Sequence, residues 1–210
     1  MNDIVLSLVL GLIQGLTEFL PISSSAHLLL PSLIFGTNDL GLSFDIAVHA
    51  GTLVAVIYFF KSEIANMVTS FVAYKTSLEE YKKLAILLII ATLPIILIGL
   101  LSSDLIEQRI FNTSTIALAN LFFALVLLFA FIINRGNKKL YEMTIYGALI
   151  IGVVQCFALI PGASRSGMVI TAALFIGLSL KDASKFSFML SIPTILGALV
   201  FLLLEIQTAD

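Results

Sequence analysis

Glu18, His27, Asp45, His49 and Arg165 all lie within or beside long apolar runs of this 210-residue chain. A charge at the centre of a spanning helix costs about 2.5–3.5 kcal/mol on insertion scales, so such groups face partners or water. Gln14, Thr17, Ser23, Ser24, Ser25 and His27 cluster around Glu18 in sequence, and Ser164 and Ser166 flank Arg165. Ser24 and His27 are three apart, which lets them face each other on one helical turn. His27 can then act as general base for a serine nucleophile, or as general acid to a leaving group. Gln14 and Glu18 are four apart on one helix face, a pair suited to holding a divalent cation or orienting a water. Gly162 and Gly167 bracket Ser164-Arg165-Ser166 and permit close backbone approach. Arg165 offers a planar fork to phosphate oxygens, and a helix starting there adds free N–H groups and a dipole that favour an anion. Asp45 and His49, also four apart, can line the same cavity; a mutual or interfacial hydrogen bond is the plainer reading. A structural ion pair between Glu18 and Arg165 would leave so many hydroxyls unexplained. Polar groups without water each need a partner, so this density implies a solvated cavity.

The elements that must position these residues are membrane helices. The chain is 60% hydrophobic and 11% charged, with a mean hydropathy of +1.12, against roughly 45–50% and about 25% for soluble domains. Eleven basic against 13 acidic residues leave no nucleic-acid-binding surface. The lone Cys156 cannot form an internal disulfide. A helix needs about 20 apolar residues to cross roughly 30 Å of hydrocarbon, and residues 42–60, 84–101, 115–133 and 186–204 provide four such spans. Residues 4–35 and 143–180 are instead interrupted, by Pro21 and the serine run and by Pro161-Gly162, so each arm is too short to cross. The expected fold is an all-α polytopic membrane protein, one membrane domain over 1–210, with two re-entrant helix-loop-helix hairpins and about four full transmembrane helices.

The hairpins resemble each other. Gly11-x-x-Gln14 followed by Pro21 echoes Gly152-x-x-Gln155 followed by Pro161, and Phe44, Thr52 and Ala55 pair with Phe186, Thr194 and Gly197. Repeat one covers about 1–133 and repeat two about 143–204. Three spans separate the hairpins, so the second enters from the opposite face and the repeat has inverted topology, with its broken loops meeting inside the bilayer. Lys61, Lys75, Lys82, Lys83, Arg135, Lys138, Lys139, Lys181 and Lys185 fall on one face, and only Arg109 on the other. This asymmetry makes the basic loops cytoplasmic and puts both termini outside a cell membrane. All five tyrosines, Tyr58, Tyr74, Tyr81, Tyr141 and Tyr146, also lie near the basic side. Residues 61–83 read as an amphipathic helix resting on the bilayer surface.

Gln14-Gly15-Leu16-Thr17-Glu18 with Pro21-Ile22-Ser23-Ser24-Ser25-Ala26-His27 resembles the first signature of the undecaprenyl pyrophosphate phosphatase family, also called the bacitracin-resistance family. Pro161-Gly162-Ala163-Ser164-Arg165-Ser166-Gly167 resembles its second signature, and residues 44–53 its intervening segment. The resemblance implies dephosphorylation of a polyprenyl pyrophosphate lipid to the monophosphate, recycling the carrier for cell-envelope glycans, helped by a divalent cation (Mg or Ca). Carried over by position, it implies a site of Glu18 with Gln14, Ser23, Ser24, His27, Ser164 and Arg165. Whether Ser24 or an activated water attacks phosphorus stays open. The family's usual threonine after the second signature is Val169 here. Family members continue for about two more spans, which leaves a short member, a truncation and a homo-oligomer as readings of this chain. A polyprenyl-phosphate transporter or flippase is the competing function, since inverted repeats and broken helices serve transport as well. Transport, however, needs no nucleophile and base.

Overall fold

The computed structural model describes residues 3–73, 76–102 and 112–209. Tyr74, Lys75 and Arg109, which contribute to the charge and aromatic asymmetry, lie outside the described residues. Helix α1 (Asp3–Thr17) and α2 (Ser24–Phe35) form the first broken pair. Then come α3 (Gly41–Phe59), α4 (Lys61–Val72), α5 (Glu79–Leu101) and α6 (Thr113–Ile133). The second broken pair is α7 (Ile145–Gln155) and α8 (Arg165–Phe175), and α9 (Leu180–Ala209) closes the described chain.

Length sorts these helices. At 1.5 Å per residue, the 11 to 15 residues of α1, α2, α7 and α8 rise only about 16–23 Å, short of the hydrocarbon thickness. Four stretches are long and apolar enough to cross: Gly41–Phe59, Thr76–Leu101, Thr113–Ile133 and Leu180–Leu203. Two of them start earlier than the apolar pattern predicts, at Glu79 rather than 84 and at Leu180 rather than 186. Hydropathy registers only the apolar window, whereas the polar start of α9 is held by bonds of its own, and Lys83 near the start of α5 donates to the Tyr141 carbonyl at 2.7 Å. Ser179 Oγ accepts from the Asp182 N–H at 3.1 Å, and Lys185 Nζ pairs with Glu63 of α4 at 3.0 Å. The surface helix is shorter than expected: α4 ends at Val72, with Met67 buried and Val68 and Phe71 exposed.

The core lies where α9 packs against α3, α5 and α8. Phe186, Met189 and Leu190 of α9 are fully buried there with Leu87, Ala91 and Ile151. Helices α5 and α6 cradle the second broken pair, α5 running along α7 and α6 along α8. Leu118, Leu121, Phe122, Leu125 and Phe129 of α6 are exposed. So continuous an apolar surface suits lipid and not water.

The two related glycines meet opposite surroundings. A Cβ on Gly152 would stand 2.5 Å from the Ala91 carbonyl of α5, while one on Gly11 would meet nothing within 4 Å. Gly152→Ala is therefore expected to lower the melting temperature in detergent, since overpacking against backbone costs about 1–3 kcal/mol. Gly11→Ala should leave it unchanged or raise it through helix propensity, worth up to about 1 kcal/mol. Equal melting temperatures for the two variants would contradict this packing.

Candidate active site

The two broken loops meet. Ser166 Oγ donates to the Leu20 carbonyl at 3.0 Å, and Ser164 Oγ lies 3.5 Å from the same oxygen. Each loop hands over to a helix through a serine cap. Ser164 Oγ accepts from the Gly167 N–H at 3.2 Å, and Ser23 Oγ accepts from the Ala26 N–H at 3.4 Å. Ser23 has φ 62, the one positive value among described residues other than glycine. A left-handed L-residue costs about 1–2 kcal/mol, and such strain persists where the surroundings over-determine it. Helices α2 and α8 begin at Ser24 and Arg165, so the positive ends of both dipoles lie at the same place.

Glu18 is the node of that place, with a side chain only 4% exposed. Arg165 Nη2 pairs with its Oε1 at 2.5 Å, and Arg165 Nη1 donates to the Ser187 carbonyl at 3.3 Å. Its Oε2 accepts from Gln14 Nε2 at 2.8 Å and from Ser24 Oγ at 2.7 Å, and His49 Nε2 stands 3.3 Å away. These groups come from α1, the loop after it, the first turns of α2 and α8, α3 and α9, and only the Gln14–Glu18 contact follows from helical spacing.

Beside the node lies a cavity of about 270 Å³. Its polar lining is Glu18, Ser23, Ser24, Ser25, Asp45, His49, Ser164 and Arg165. Leu42, Ile46, Ile95, Leu159, Ile195 and Ala198 are among its apolar lining. A small charged group bearing an apolar chain matches such a mixed lining.

Several expected contacts take a different form. Ser24 and His27 do not pair: Ser24 turns to Glu18, and His27 Nδ1 bonds the Ser23 carbonyl at 2.8 Å, as the first helical turn allows. His27 is not among the cavity-lining residues. Gly162 and Gly167 serve packing. Gly162 has φ 98, and a Cβ there would run into the Ile116 carbonyl of α6; one on Gly167 would come within 3.1 Å of the Ser164 Cβ. Ser166 is buried under the first loop, tying the loops together. Val169 is buried in the apolar core, away from the cavity.

Gln14 is fully buried and directs its amide N–H at Glu18, leaving Oε1 buried without a protein partner. Glu18 thus already receives several donors. No three His, Cys, Asp or Glu side chains converge among the described residues. Gln14 and Glu18 in this arrangement do not fit a cation held by protein side chains.

His49 and Asp45 are the residues that local spacing undervalues. Their four-residue separation produces a bond from the His49 ring to the Asp45 backbone carbonyl, at 2.5 Å, and this leaves the other ring nitrogen for Glu18. The signal available in the sequence is a contrast at the offset of 142 that aligns Phe44 with Phe186 and Thr52 with Thr194, where Asp45 and His49 fall on Ser187 and Ser191.

An undecaprenyl-diphosphatase of Saccharophagus degradans is 49% identical over 194 residues, covering 92% of this chain and 73% of that protein. An undecaprenyl-diphosphatase of Teredinibacter turnerae is 48% identical over 195 residues, covering 92% and 74%. One of Alcanivorax borkumensis is 46% identical over 194 residues, covering 91% and 73%. The family model described as bacitracin resistance protein BacA matches residues 7–210, both broken loops and every described span included, and the chain belongs to that family.

Proposed function

We propose that this multi-pass membrane protein is a phosphatase that hydrolyses undecaprenyl pyrophosphate, or a related polyprenyl pyrophosphate, to the monophosphate and inorganic phosphate. The observation that carries the chemistry is the contact of Ser24 Oγ with Glu18 Oε2 at 2.7 Å, beside Arg165, where both line a largely apolar cavity. Arg165 and the two helix N-termini attract the pyrophosphate, and the apolar lining residues receive the start of the prenyl chain. Phosphate oxygens compete for Arg165 and free the Glu18 carboxylate. Ser24 Oγ then attacks the terminal phosphorus while its proton passes to Glu18 Oε2. The bond from phosphorus to the bridging oxygen breaks, and the polyprenyl monophosphate leaves with that oxygen. Glu18 hands the Ser24 proton to the departing oxygen and is a carboxylate again. It then takes a proton from the water that opens the phosphoserine and returns it to Ser24 Oγ as inorganic phosphate departs.

A divalent cation, Mg or Ca, fits this reading as one that arrives on the pyrophosphate. Magnesium commonly binds through one or two carboxylates together with substrate phosphates, not in an all-protein cage. The cavity sits in the first half of α3 and the second halves of α5 and α9, remote from Lys61, Lys82, Lys83 and Lys181. With the basic loops cytoplasmic and the termini outside, it opens to the outer half of the bilayer.

Two preparations test the activity and the orientation. Purified protein in detergent should release phosphate from farnesyl or longer polyprenyl pyrophosphates, faster with added Mg²⁺ or Ca²⁺. Right-side-out vesicles from overproducing cells should do so with substrate added outside and no permeabilisation. Lipid binding without phosphate release would favour transport. Release that appears only after permeabilisation would reverse the orientation.

A further inference from the structure

His49 stands on α3, outside both signature loops, yet its ring reaches the carboxylate at the centre of the site. Its two nitrogens have unlike partners. Nδ1 lies 2.5 Å from the Asp45 backbone carbonyl, which can only accept, so Nδ1 carries a proton. Nε2 lies 3.3 Å from Glu18 Oε2. A neutral ring protonated on Nδ1 would turn a lone pair toward a carboxylate oxygen, an arrangement that repels. A proton therefore lies between Nε2 and Oε2. The oxygen it meets is the one that accepts from Ser24 Oγ at 2.7 Å. Arg165 holds the other oxygen, and the Asp45 carboxylate lines the same cavity.

The repeat supplies an independent reason. At the offset that aligns Phe44 with Phe186 and Thr52 with Thr194, His49 falls on Ser191. Ser191 is buried and donates to the Phe188 carbonyl of its own helix at 2.6 Å, so the scaffold holds this position without an imidazole. Glu18 falls on apolar Ala158 or Leu159, and Arg165 falls on Ser25. Glu18 and the two ionisable groups that touch it, His49 and Arg165, are thus all positions where the two repeats differ, whereas Gln14 and Gln155, or Pro21 and Pro161, are shared.

We propose that His49 is a positioning residue of this site, holding a proton against Glu18 Oε2 so that this oxygen stays aimed at the Ser24 hydroxyl. The proposal rests on the phosphatase reading and deepens it. Removing the donor lets the carboxylate rotate, and misplacement by about 1 Å is worth on the order of 100-fold in rate. Phosphate release from farnesyl pyrophosphate in detergent is measured for wild type, His49→Ala, His49→Met and His49→Gln, alongside each melting temperature. His49→Ala and the similarly bulky apolar His49→Met should lower kcat about 10- to 100-fold, with KM within about threefold. His49→Gln keeps an N–H for Glu18 and should recover kcat to within about threefold to fivefold of wild type. A folded His49→Met protein with wild-type kcat overturns the proposal, and so does a folded His49→Gln protein as slow as His49→Met. Should the apolar variants fail to fold, His49→Gln alone decides by the same threshold. Absence of turnover in wild type instead overturns the phosphatase reading, so the two failures are distinguishable.

Discussion

Arg165→Ala should reduce kcat/KM for a polyprenyl pyrophosphate by about a thousandfold or more, equivalent to roughly 4 kcal/mol of transition-state stabilisation. Two losses combine. The substitution removes the planar donor fork at the cavity wall, the group best shaped for phosphate oxygens. It also takes the cation from Glu18 Oε1, leaving a buried carboxylate with Gln14, Ser24 and His49 as its donors. Removing one partner of a buried pair costs about 3–5 kcal/mol, so the variant should melt at a lower temperature as well. Arg165→Lys separates the effects. It keeps the charge and much of the stability, but loses the fork and the bond to the Ser187 carbonyl, so its activity should stay far below wild type. Steady-state phosphate release and detergent melting curves measure both. An Arg165→Ala protein within tenfold of wild-type kcat/KM would remove Arg165 from the site.

Glu18→Gln should lower kcat by about 100- to 10,000-fold, the range of a lost general base, and should affect KM much less. The amide keeps the shape of the side chain but substitutes an N–H₂ for one oxygen. That group cannot accept, and Gln14 Nε2, Ser24 Oγ, His49 Nε2 and Arg165 Nη2 are all arranged to donate or to pair there. Even where the remaining amide oxygen faces Ser24, it is not a base, so Ser24 loses the group that takes its proton although the backbone does not move. Ser24→Ala tests the other end of the same contact and should be equally slow, and the double variant no slower than either single one. Groups that act as a unit lose their effects once, not additively. Multiplying losses in the double variant, or a Glu18→Gln enzyme within tenfold of wild-type kcat, would sink the assignment of Glu18 as the base for Ser24.

Much of this architecture is legible without coordinates because the bilayer restricts it. Backbone polar groups must be satisfied internally in lipid, so long apolar runs become helices, and Pro21 and Pro161 mark where helices cannot continue. Helix ends are less legible. The last helix extends back to Leu180, beyond its apolar window, because Ser179, Asp182 and the Lys185–Glu63 pair stabilise a start that hydropathy scores as polar, and near the Glu79 end of α5 Lys83 Nζ donates to the Tyr141 carbonyl. The glycines of the second loop illustrate a different gap. Their conformational freedom is evident from residue type, but only the proximity of Ile116 reveals that Gly162 is needed for packing against α6.

Glu18 and Arg165 stand out from the sequence alone, because unpaired charges in an apolar chain are costly and two that lie in broken helices have few other partners. Which histidine accompanies them is decided only by tertiary structure. The three-residue spacing of Ser24 and His27 permits contact, but the first turn of α2 offers His27 the Ser23 carbonyl, and Ser24 finds a stronger acceptor in Glu18. His49 is 31 positions from Glu18 in sequence and reaches it because α3 packs against α1 and α9. Spacing along a helix limits which neighbours can meet. The packing of separate helices determines which of them share a carboxylate.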